Sequence, residues 1–237
     1  MTYENYIFDL YGTLIDIRTD EWSKMVWKQY ATWLKTENIS YWRWSLQRTY
    51  SKKVKEAADV PSDYHYPEFD ILPVFAEICR KKRPDYTDEQ VWHAGEMFRK
   101  ISTSMIRLYP NTLKVLDELK KNGKKVFLLS NAQRVFTWQE LEQLGLLSYF
   151  DGVYISSDAG CKKPDSEFFQ KLLRDHKLHV SDCLMVGNDS TSDIAGATAL
   201  GMDACYIRTA ISPENDPTPD CKYVFEDGDI GHLLNTI

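Results

Sequence analysis

Polar residues with catalytic potential follow short apolar runs of the chain. If each run is a strand of a parallel sheet, the residues after it lie at the edge where open α/β sheets bind ligands. Carboxylates, a hydroxyl group, amides and a cation then converge on one edge. A carboxylate is a feasible covalent nucleophile when a reaction is divided into two steps. In chain order the residues are Asp9, Ser130, Asn131, Lys163, Asn188 and Asp189.

Taken singly, each of these residues is more often a structural feature than a catalytic one. Ser130 with Asn131 is typical of a helix cap, and Lys163 before Pro164 is typical of an exposed turn. Their convergence, and no single residue, therefore indicates a functional site.

Apolar runs alternate with helical patterns through the second half of the chain. Such strands, buried on both faces and separated by crossover helices, predict a parallel α/β sheet with right-handed connections. The first apolar run must join that sheet, because a lone strand is not stable by itself. Strands are predicted at 6–8, 126–129, 153–155, 184–186, 205–207 and 223–225, and helices at 112–122, 138–144, 166–175, 191–200 and 230–235.

The stretch from 16 to 105 interrupts this alternation. It is helix-like and aromatic, contains six of the seven tryptophans, and shows no comparable strand. We therefore expect a helical insert above the sheet. Aromatic residues at helical spacing favour the insert's own hydrophobic core over a substrate pocket. Trp42 and Trp44 flank Arg43 and cannot both be buried on one narrow helix face, so part of this group is expected to meet substrate.

Composition narrows the class of protein. The 237 residues carry a net charge of −6, which argues against nucleic acid as a partner. No apolar run approaches the ~20 residues that a membrane-spanning helix needs. Five scattered cysteines form no CxxC pair and no even disulfide set. We therefore expect a cytoplasmic protein without a membrane partner.

Four segments together resemble the motifs of the haloacid dehalogenase (HAD) superfamily of hydrolases. They occur in the family's order, each at the end of an apolar run, and four in register are far more specific than one. The resemblance implies a doubly wound, Rossmann-like α/β core at 1–15 and 106–237, with an inserted helical cap of the C1 type at 16–105. The segments are FDLYGTL at 8–14, LLSN at 128–131, KPD at 163–165 and VGNDSTSDIAGA at 186–197.

The same resemblance implies catalytic roles. Asp9 corresponds to the nucleophile that forms a covalent aspartyl intermediate, which water then hydrolyses. Ser130 would donate a hydrogen bond to the transferred group, with Asn131 beside it. Lys163 would hold Asp9 and the incoming group together by charge, and Thr13 would support the first loop.

A Mg²⁺ site is implied as well. Asp189 would hold the ion together with Asp9 and the backbone carbonyl of Tyr11, and Asp193 would orient a metal-bound water or Lys163. A charge argument agrees with this implication. Three carboxylates against one lysine are unfavourable in a buried pocket unless a divalent cation compensates them.

Two positions depart from the family's phosphatases. These usually carry a second aspartate, the general acid and base, where this chain has Tyr11, and the family's metal-independent dehalogenases carry tyrosine there. Tyr11 therefore favours carbon–halogen cleavage or a phosphorylated substrate with a good leaving group. An equally good interpretation is that Tyr11 has no role in the reaction and is an aromatic residue that fills space between sheet and cap. Asn188 stands where many members have the metal-site aspartate, which shifts the acid to Asp189.

As evidence for the type of reaction, the metal-site carboxylates outweigh Tyr11. A missing general acid only slows the chemistry, whereas carboxylates without a countercharge prevent the site from holding its geometry. We therefore expect a Mg²⁺-dependent enzyme, a phosphatase acting on a small phosphorylated metabolite. The alternatives are a 2-haloacid dehalogenase and, more remotely, a non-catalytic binding relic. The oligomeric state and the substrate's identity stay open.

Overall fold

The computed structural model describes residues 3–235; residues 1, 2, 236 and 237, which the predicted core also includes, lie outside that range. Within it the chain forms eight strands and nine α-helices. The strands are β1 Asn5–Phe8, β2 Ile15–Thr19, β3 Thr103–Leu108, β4 Lys125–Ser130, β5 Gly152–Ile155, β6 Cys183–Gly187, β7 Asp203–Ile207 and β8 Tyr223–Phe225. The helices are α1 Lys24–Thr36, α2 Arg43–Ala58, α3 Leu72–Arg80, α4 Asp88–Ser102, α5 Thr112–Lys121, α6 Arg134–Gln143, α7 Ser156–Ala159, α8 Ser166–His176 and α9 Ala195–Ala199.

Six strands form the central sheet, in the order β5-β4-β1-β6-β7-β8. All of its neighbouring strands pair in parallel. The chain proceeds outward from β1 through β4 to β5, then crosses to the other side of β1 and proceeds through β6, β7 and β8. This reversal beside β1 is the position at which doubly wound sheets bind ligands. The predicted α/β fold class is confirmed.

The side chains of β1 explain why the sheet is covered on both faces. Tyr6 and Phe8 point into one hydrophobic cluster, which includes residues of α5 and α6. Ile7 points into a second cluster on the opposite face, which includes residues of α8 and α9. Successive strand residues face opposite sides of a sheet, so a short run of consecutive apolar residues is what a strand buried on both faces requires.

Two strands outside the central sheet connect it to the helical insert. β2 and β3 pair antiparallel, with Ile15 opposite Leu108 and Ile17 opposite Ile106. The expectation of no strand between 16 and 105 was wrong at both ends of that stretch. Both strands are partly exposed, so neither gives the continuous apolar run that identifies a buried strand.

The helices α1 to α4 lie between β2 and β3 and enclose an aromatic core of their own. Trp27 is fully buried there, as expected. Trp22 is instead 71% exposed, so the expectation that tryptophans mainly fill the insert's core was wrong for this residue. Trp42 and Trp44, which were not expected to be buried together, are exposed by 78% and 61%. The exact division into core and cap at 16 and 105 stays a prediction.

The segment between α2 and α3 contacts the core of the protein through main-chain hydrogen bonds. The side-chain amide of Gln133 donates to the carbonyl of Phe69 and accepts from the N–H of Ile71, each at 2.8 Å. The N–H of Lys162 donates to the carbonyl of Tyr66 at 2.9 Å. The insert is therefore attached to the core at a second place besides the β2–β3 pair.

Two helices begin four residues away from their predicted starts. α6 begins at Arg134, four residues before the predicted start, because its first turn packs Val135 and Phe136 against the insert. The helix predicted at 191–200 is a π-helical turn, Ser190–Ile194, followed by α9. Among residues 3–235, no helix combines the length and apolar character that crossing a membrane requires.

Phe98 on α4 provides a test of the insert's core. Its ring lies 5.0–5.6 Å from the rings of Trp27, Tyr30, Tyr50 and Phe75. We expect Phe98→Ala to lower the free energy of unfolding by about 3–5 kcal/mol, because a cavity replaces a buried ring. Urea unfolding followed by circular dichroism measures this change. The exposed Trp44→Ala should stay within about 0.5 kcal/mol, and an equal loss in both variants would contradict the assignment of a core to Phe98.

Candidate active site

The ammonium group of Lys163 is the centre of the candidate site. Its Nζ lies 2.7 Å from Oδ1 of Asp9 and 2.7 Å from Oδ1 of Asp193. It also donates to the carbonyl of Leu129 at 2.7 Å. All three charged side chains are buried, and buried charges persist only when they are paired and hydrogen-bonded. The loops after β1, α7 and β6 therefore meet through this one cation.

Asn131 fixes the backbone that carries Lys163. Its side-chain oxygen accepts the N–H of Lys163 at 2.8 Å, and its amide nitrogen donates to the Lys163 carbonyl at 3.0 Å. The end of β4 thus holds the lysine loop in place. Since both ends of the Asn131 amide are engaged, its role in the structure is to position Lys163.

Hydroxyl groups surround Asp9. Ser130 donates to Oδ1 of Asp9, and Thr13 donates to Oδ2, each over 3.4 Å. The Thr13 hydroxyl also lies 3.3 Å from Oδ1 of Asn188. Lys163 therefore occupies one oxygen of the Asp9 carboxylate. The other oxygen, Oδ2, has no cationic partner among residues 3–235.

Two glycines allow close approaches in the site, Gly12 between the first and fourth loops and Gly187 between the end of β6 and the fourth loop that follows it. Gly12 has a φ of 91°, and a Cβ at this position would lie 2.2 Å from the Asn188 side chain. A Cβ at Gly187 would lie 2.3 Å from the Asp193 carboxylate. Both contacts are far shorter than van der Waals separation, so only glycine fits at either position.

The carboxylates of the fourth loop have different environments. Oδ2 of Asp193 accepts the backbone N–H groups of Asn188 and Asp189, each at 3.1 Å. Oδ1 of Asp189 accepts the N–H and hydroxyl of Thr191 at 2.8 and 2.7 Å, and the N–H of Ser192 at 3.1 Å. Asp193 therefore organises the loop and Lys163, whereas Asp189 is half-buried at the pocket wall.

The pKa shifts agree with these roles. Burial alone would lower the pKa of Lys163, but the Asp193 and Asp9 carboxylates outweigh burial and raise it, so the lysine stays charged. Burial raises the pKa of Asp193 although Lys163 opposes the change. Burial also acts to raise the pKa of Asp189, but hydrogen bonds from Thr191 and Ser192 outweigh it and the pKa is lowered.

The pocket beside Asp9 suits a hydrated divalent cation better than a metal caged by side chains. It has a volume of about 200 Å³, and Asp9, Tyr11 and Asp189 contribute to its wall. Within the described part of the chain, no three His, Cys, Asp or Glu side chains group closely enough to hold a metal ion. Mg²⁺ is usually bound by one or two carboxylates and keeps several waters, so the donors present fit this ion.

The side chain of Tyr11 extends away from Lys163 and Asp193. Its hydroxyl donates to Oε2 of Glu140 and lies 3.0 Å from the Thr137 hydroxyl, both on α6. The Arg99 guanidinium lies 5.5 Å from the centre of the Tyr11 ring. Burial, with Glu140 as the next cause, raises the pKa of the Tyr11 hydroxyl. The phenol is therefore a weaker acid here than in water.

A second chamber of about 380 Å³ lies between the insert and the core and shares Tyr11 and Asn131 with the first. Arg99, whose Nε donates to Glu140 at 2.6 Å, is one of its wall residues, and Glu21 is another. None of Arg99, Glu21 and Glu140 was predicted from the sequence as a site residue. Only Glu140 carried a sequence signal, since it shares a helical face with Gln133 and Thr137 at spacings of seven and three.

Asn131→Ala tests the attachment of the lysine loop. The change leaves the N–H and carbonyl of Lys163 without partners, so we expect the free energy of unfolding to fall by about 1–3 kcal/mol. Chemical denaturation measures it. Asn122 also hydrogen-bonds through its side chain but is exposed on the surface, so Asn122→Ala should cost less than about 0.5 kcal/mol. A smaller loss for Asn131→Ala than for the control contradicts its positioning role.

Comparisons with known proteins identify the family. The family model of the haloacid dehalogenase-like hydrolases matches residues 3–201. The glyceraldehyde 3-phosphate phosphatase of Methanothermobacter thermautotrophicus is 31% identical over 115 residues, which cover 48% of this chain and 51% of that protein. The phosphoglycolate phosphatase of Vibrio cholerae is 32% identical over 144 residues, 60% of this chain and 62% of that protein. The matched regions thus span about half to three fifths of these relatives.

A solved structure agrees over the whole chain. The 2-haloacid dehalogenase of Pseudomonas syringae superposes with a TM-score of 0.64 over 99% of this chain and 97% of its own, at 21% identity. At this identity the similarity establishes the fold alone. The family match, four motifs in register and the pairing of Lys163 with Asp9 lead to one conclusion: the chain belongs to the haloacid dehalogenase-like hydrolases.

Proposed function

We propose that this hydrolase is a Mg²⁺-dependent phosphatase, which cleaves a small phosphorylated metabolite through an aspartyl-phosphate on Asp9. The observation that carries the proposal is the charge arrangement around Asp9. Lys163 is paired with Oδ1 of Asp9 and with Asp193, while Asp189 adds a further carboxylate at the pocket wall. The site thus contains three carboxylates and one lysine, and a divalent cation would supply the missing positive charge.

Asp9, Asp189 and the backbone carbonyl of Tyr11 would hold Mg²⁺. The bound ion would neutralise charge on the substrate's phosphoryl oxygens. Two like charges at ~4 Å repel by about 4 kcal/mol at an effective dielectric of 20. An anionic carboxylate therefore attacks a phosphate group only where cations offset this repulsion, and Lys163 provides one such cation beside Asp9.

The reaction then has two displacements. Oδ2 of Asp9 forms a bond to phosphorus, the bond from phosphorus to the leaving oxygen breaks, and that oxygen takes a proton. Water next attacks the acyl phosphate, which releases inorganic phosphate and restores the Asp9 carboxylate. Ser130 lies within reach of the transferred group, since its hydroxyl already contacts Asp9 at 3.4 Å. Thr13 and Asn131 act as positioning residues.

The leaving group receives little help from the protein. Tyr11 stands where an acidic side chain would protonate the leaving oxygen, and its hydroxyl donates a hydrogen bond to Glu140. We therefore propose that the proton comes from water and that substrates with good leaving groups, such as acyl or sugar 1-phosphates, are favoured.

The relatives' names support phosphate chemistry, since two of them are called phosphatases. Tyr11 favours the second candidate, a metal-independent 2-haloacid dehalogenase. A non-catalytic relic has no need to keep Lys163, Asp9 and Asp189 together.

A cytoplasmic location and the absence of a nucleic-acid partner belong to the same proposal. All five cysteines are free thiols, as a reducing compartment favours.

Metal removal separates the two candidates. We expect hydrolysis of p-nitrophenyl phosphate with Mg²⁺, loss of that activity in EDTA, and recovery when Mg²⁺ is restored. Asp9→Asn should lower kcat by at least about 10³, because the nucleophile is lost. The exposed Asp220→Asn is the matched control and should retain activity. Halide release from 2-chloropropionate that persists in EDTA would identify the dehalogenase, and inertness towards both substrates would identify the relic.

Tyr11→Asp tests the missing acid. General acid catalysis contributes about 10²–10⁴ in rate, so the variant should raise kcat/KM for an alkyl phosphate such as ethyl phosphate at least about tenfold. For p-nitrophenyl phosphate, whose leaving group needs no proton, the change should be small.

Tyr11→Phe is the control for this experiment. It removes the same hydroxyl without adding an acid. The ratio of kcat/KM for ethyl phosphate to kcat/KM for p-nitrophenyl phosphate should therefore match that of the unmodified protein. If Tyr11→Phe shifts the ratio as much as Tyr11→Asp does, the phenol itself acts as the acid and the interpretation is wrong.

A further inference from the structure

The chamber between insert and core adjoins the pocket of Asp9. Tyr11 and Asn131 belong to the walls of both spaces. A phosphoryl group beside Asp9 therefore directs the rest of the substrate into this chamber. At about 380 Å³, it is within the range of small-molecule sites.

The wall of the chamber contains one cation, Arg99, among the residues that the structure describes. Arg99 is buried, and its charge is already matched. Its Nε donates to Glu140 at 2.6 Å, and its NH1 group lies 3.6 Å from Oε1 of Glu21. Two carboxylates thus face a single guanidinium, so the chamber has no positive charge left for an anionic group.

The remaining wall is mainly apolar. It includes Trp22, Val54, Ile71 and Phe136. Burial raises the pKa of Glu21 while Arg99 opposes the change, so this carboxylate already carries a desolvation penalty before any ligand enters. A further negative charge in the chamber would meet both the apolar surface and the Glu21 carboxylate in its wall.

Tyr50 offers a neutral polar contact. It belongs to the chamber wall, and its hydroxyl makes no hydrogen bond with any residue in the range 3–235. It therefore has a free hydrogen bond to give to a ligand. The Gln133 amide, by contrast, is engaged by Phe69 and Ile71.

We propose that the chamber selects phosphomonoesters whose leaving group is an uncharged, ring-sized alcohol or phenol, and that Glu21 with Arg99 excludes leaving groups that carry a carboxylate or a second phosphate. This proposal rests on the phosphatase function for its kinetic test. It names a substrate class different from phosphoglycolate, the carboxylate-containing substrate in the name of one relative.

The kinetic test compares 4-carbamoylphenyl phosphate with 4-carboxyphenyl phosphate, which are similar in shape and differ by one negative charge. The neutral ester should have a kcat/KM at least tenfold higher. Glu21→Gln removes one carboxylate, so it should reduce the ratio of the two kcat/KM values at least threefold, chiefly by lowering KM for the carboxylate ester. Glu89→Gln makes the same change at an exposed position of α4 and should leave the preference unaltered. Equal kcat/KM values, or an unchanged preference in Glu21→Gln, would overturn the proposal.

Binding of the two product phenols separates this inference from the phosphatase function. Titration of the full chain with 4-hydroxybenzamide and 4-hydroxybenzoate, followed by calorimetry, requires no turnover. Tighter binding of the amide by at least tenfold supports the chamber's selectivity even if no phosphate ester is hydrolysed, in which case the phosphatase proposal alone fails. Tighter or equal binding of the benzoate rejects the proposed preference of the chamber for uncharged groups, whether or not the protein hydrolyses phosphate esters.

Discussion

The pairing of one buried ammonium group with two carboxylates organises this protein. Lys163 joins Asp9 on the first loop to Asp193 on the fourth. Because a buried charge without a partner is very costly, these loops have to approach each other, and the other features of the site follow from this need. Glycine is required at position 12, where a side chain would collide with Asn188 of the fourth loop, and at position 187, where it would collide with the Asp193 carboxylate. Asn131 has to hold the Lys163 backbone, since a displaced lysine would leave both carboxylates uncompensated.

Much of the central sheet was predictable because its strands are buried on both faces. Such strands appear in the sequence as apolar runs, and the residues that follow them reach the same edge in space. The β2–β3 pair was not predictable in this way. It is stabilised by pairing between segments about 90 residues apart, as in the hydrogen bonds from Arg107 to Asp16, and its partly exposed strands lack a continuous apolar pattern.

The site was predictable to a similar extent. The motif residues come from segments whose ends the sheet brings together, so their proximity follows from topology. The exposed position of Trp22 and the direction of the Tyr11 side chain do not follow from topology. Tyr11 extends to Glu140 because Arg99, from a helix of the insert, holds that carboxylate in place. An ion pair between two helices depends on tertiary packing, which no local pattern in the sequence expresses.

The helix α6 explains how the insert and the loops of the candidate site influence each other. It belongs to the core, yet Val135 and Phe136 pack in the aromatic cluster of the insert, and Glu140 on the same helix accepts the Tyr11 hydroxyl. Gln133, just before α6, holds the segment that contributes Phe69 to the chamber. A displacement of the insert would therefore disturb Tyr11 in the wall of the Asp9 pocket as well as the chamber wall. The chamber wall and the Tyr11 side chain are thus held by the same helix, so the shape of the chamber and the wall of the Asp9 pocket depend on each other.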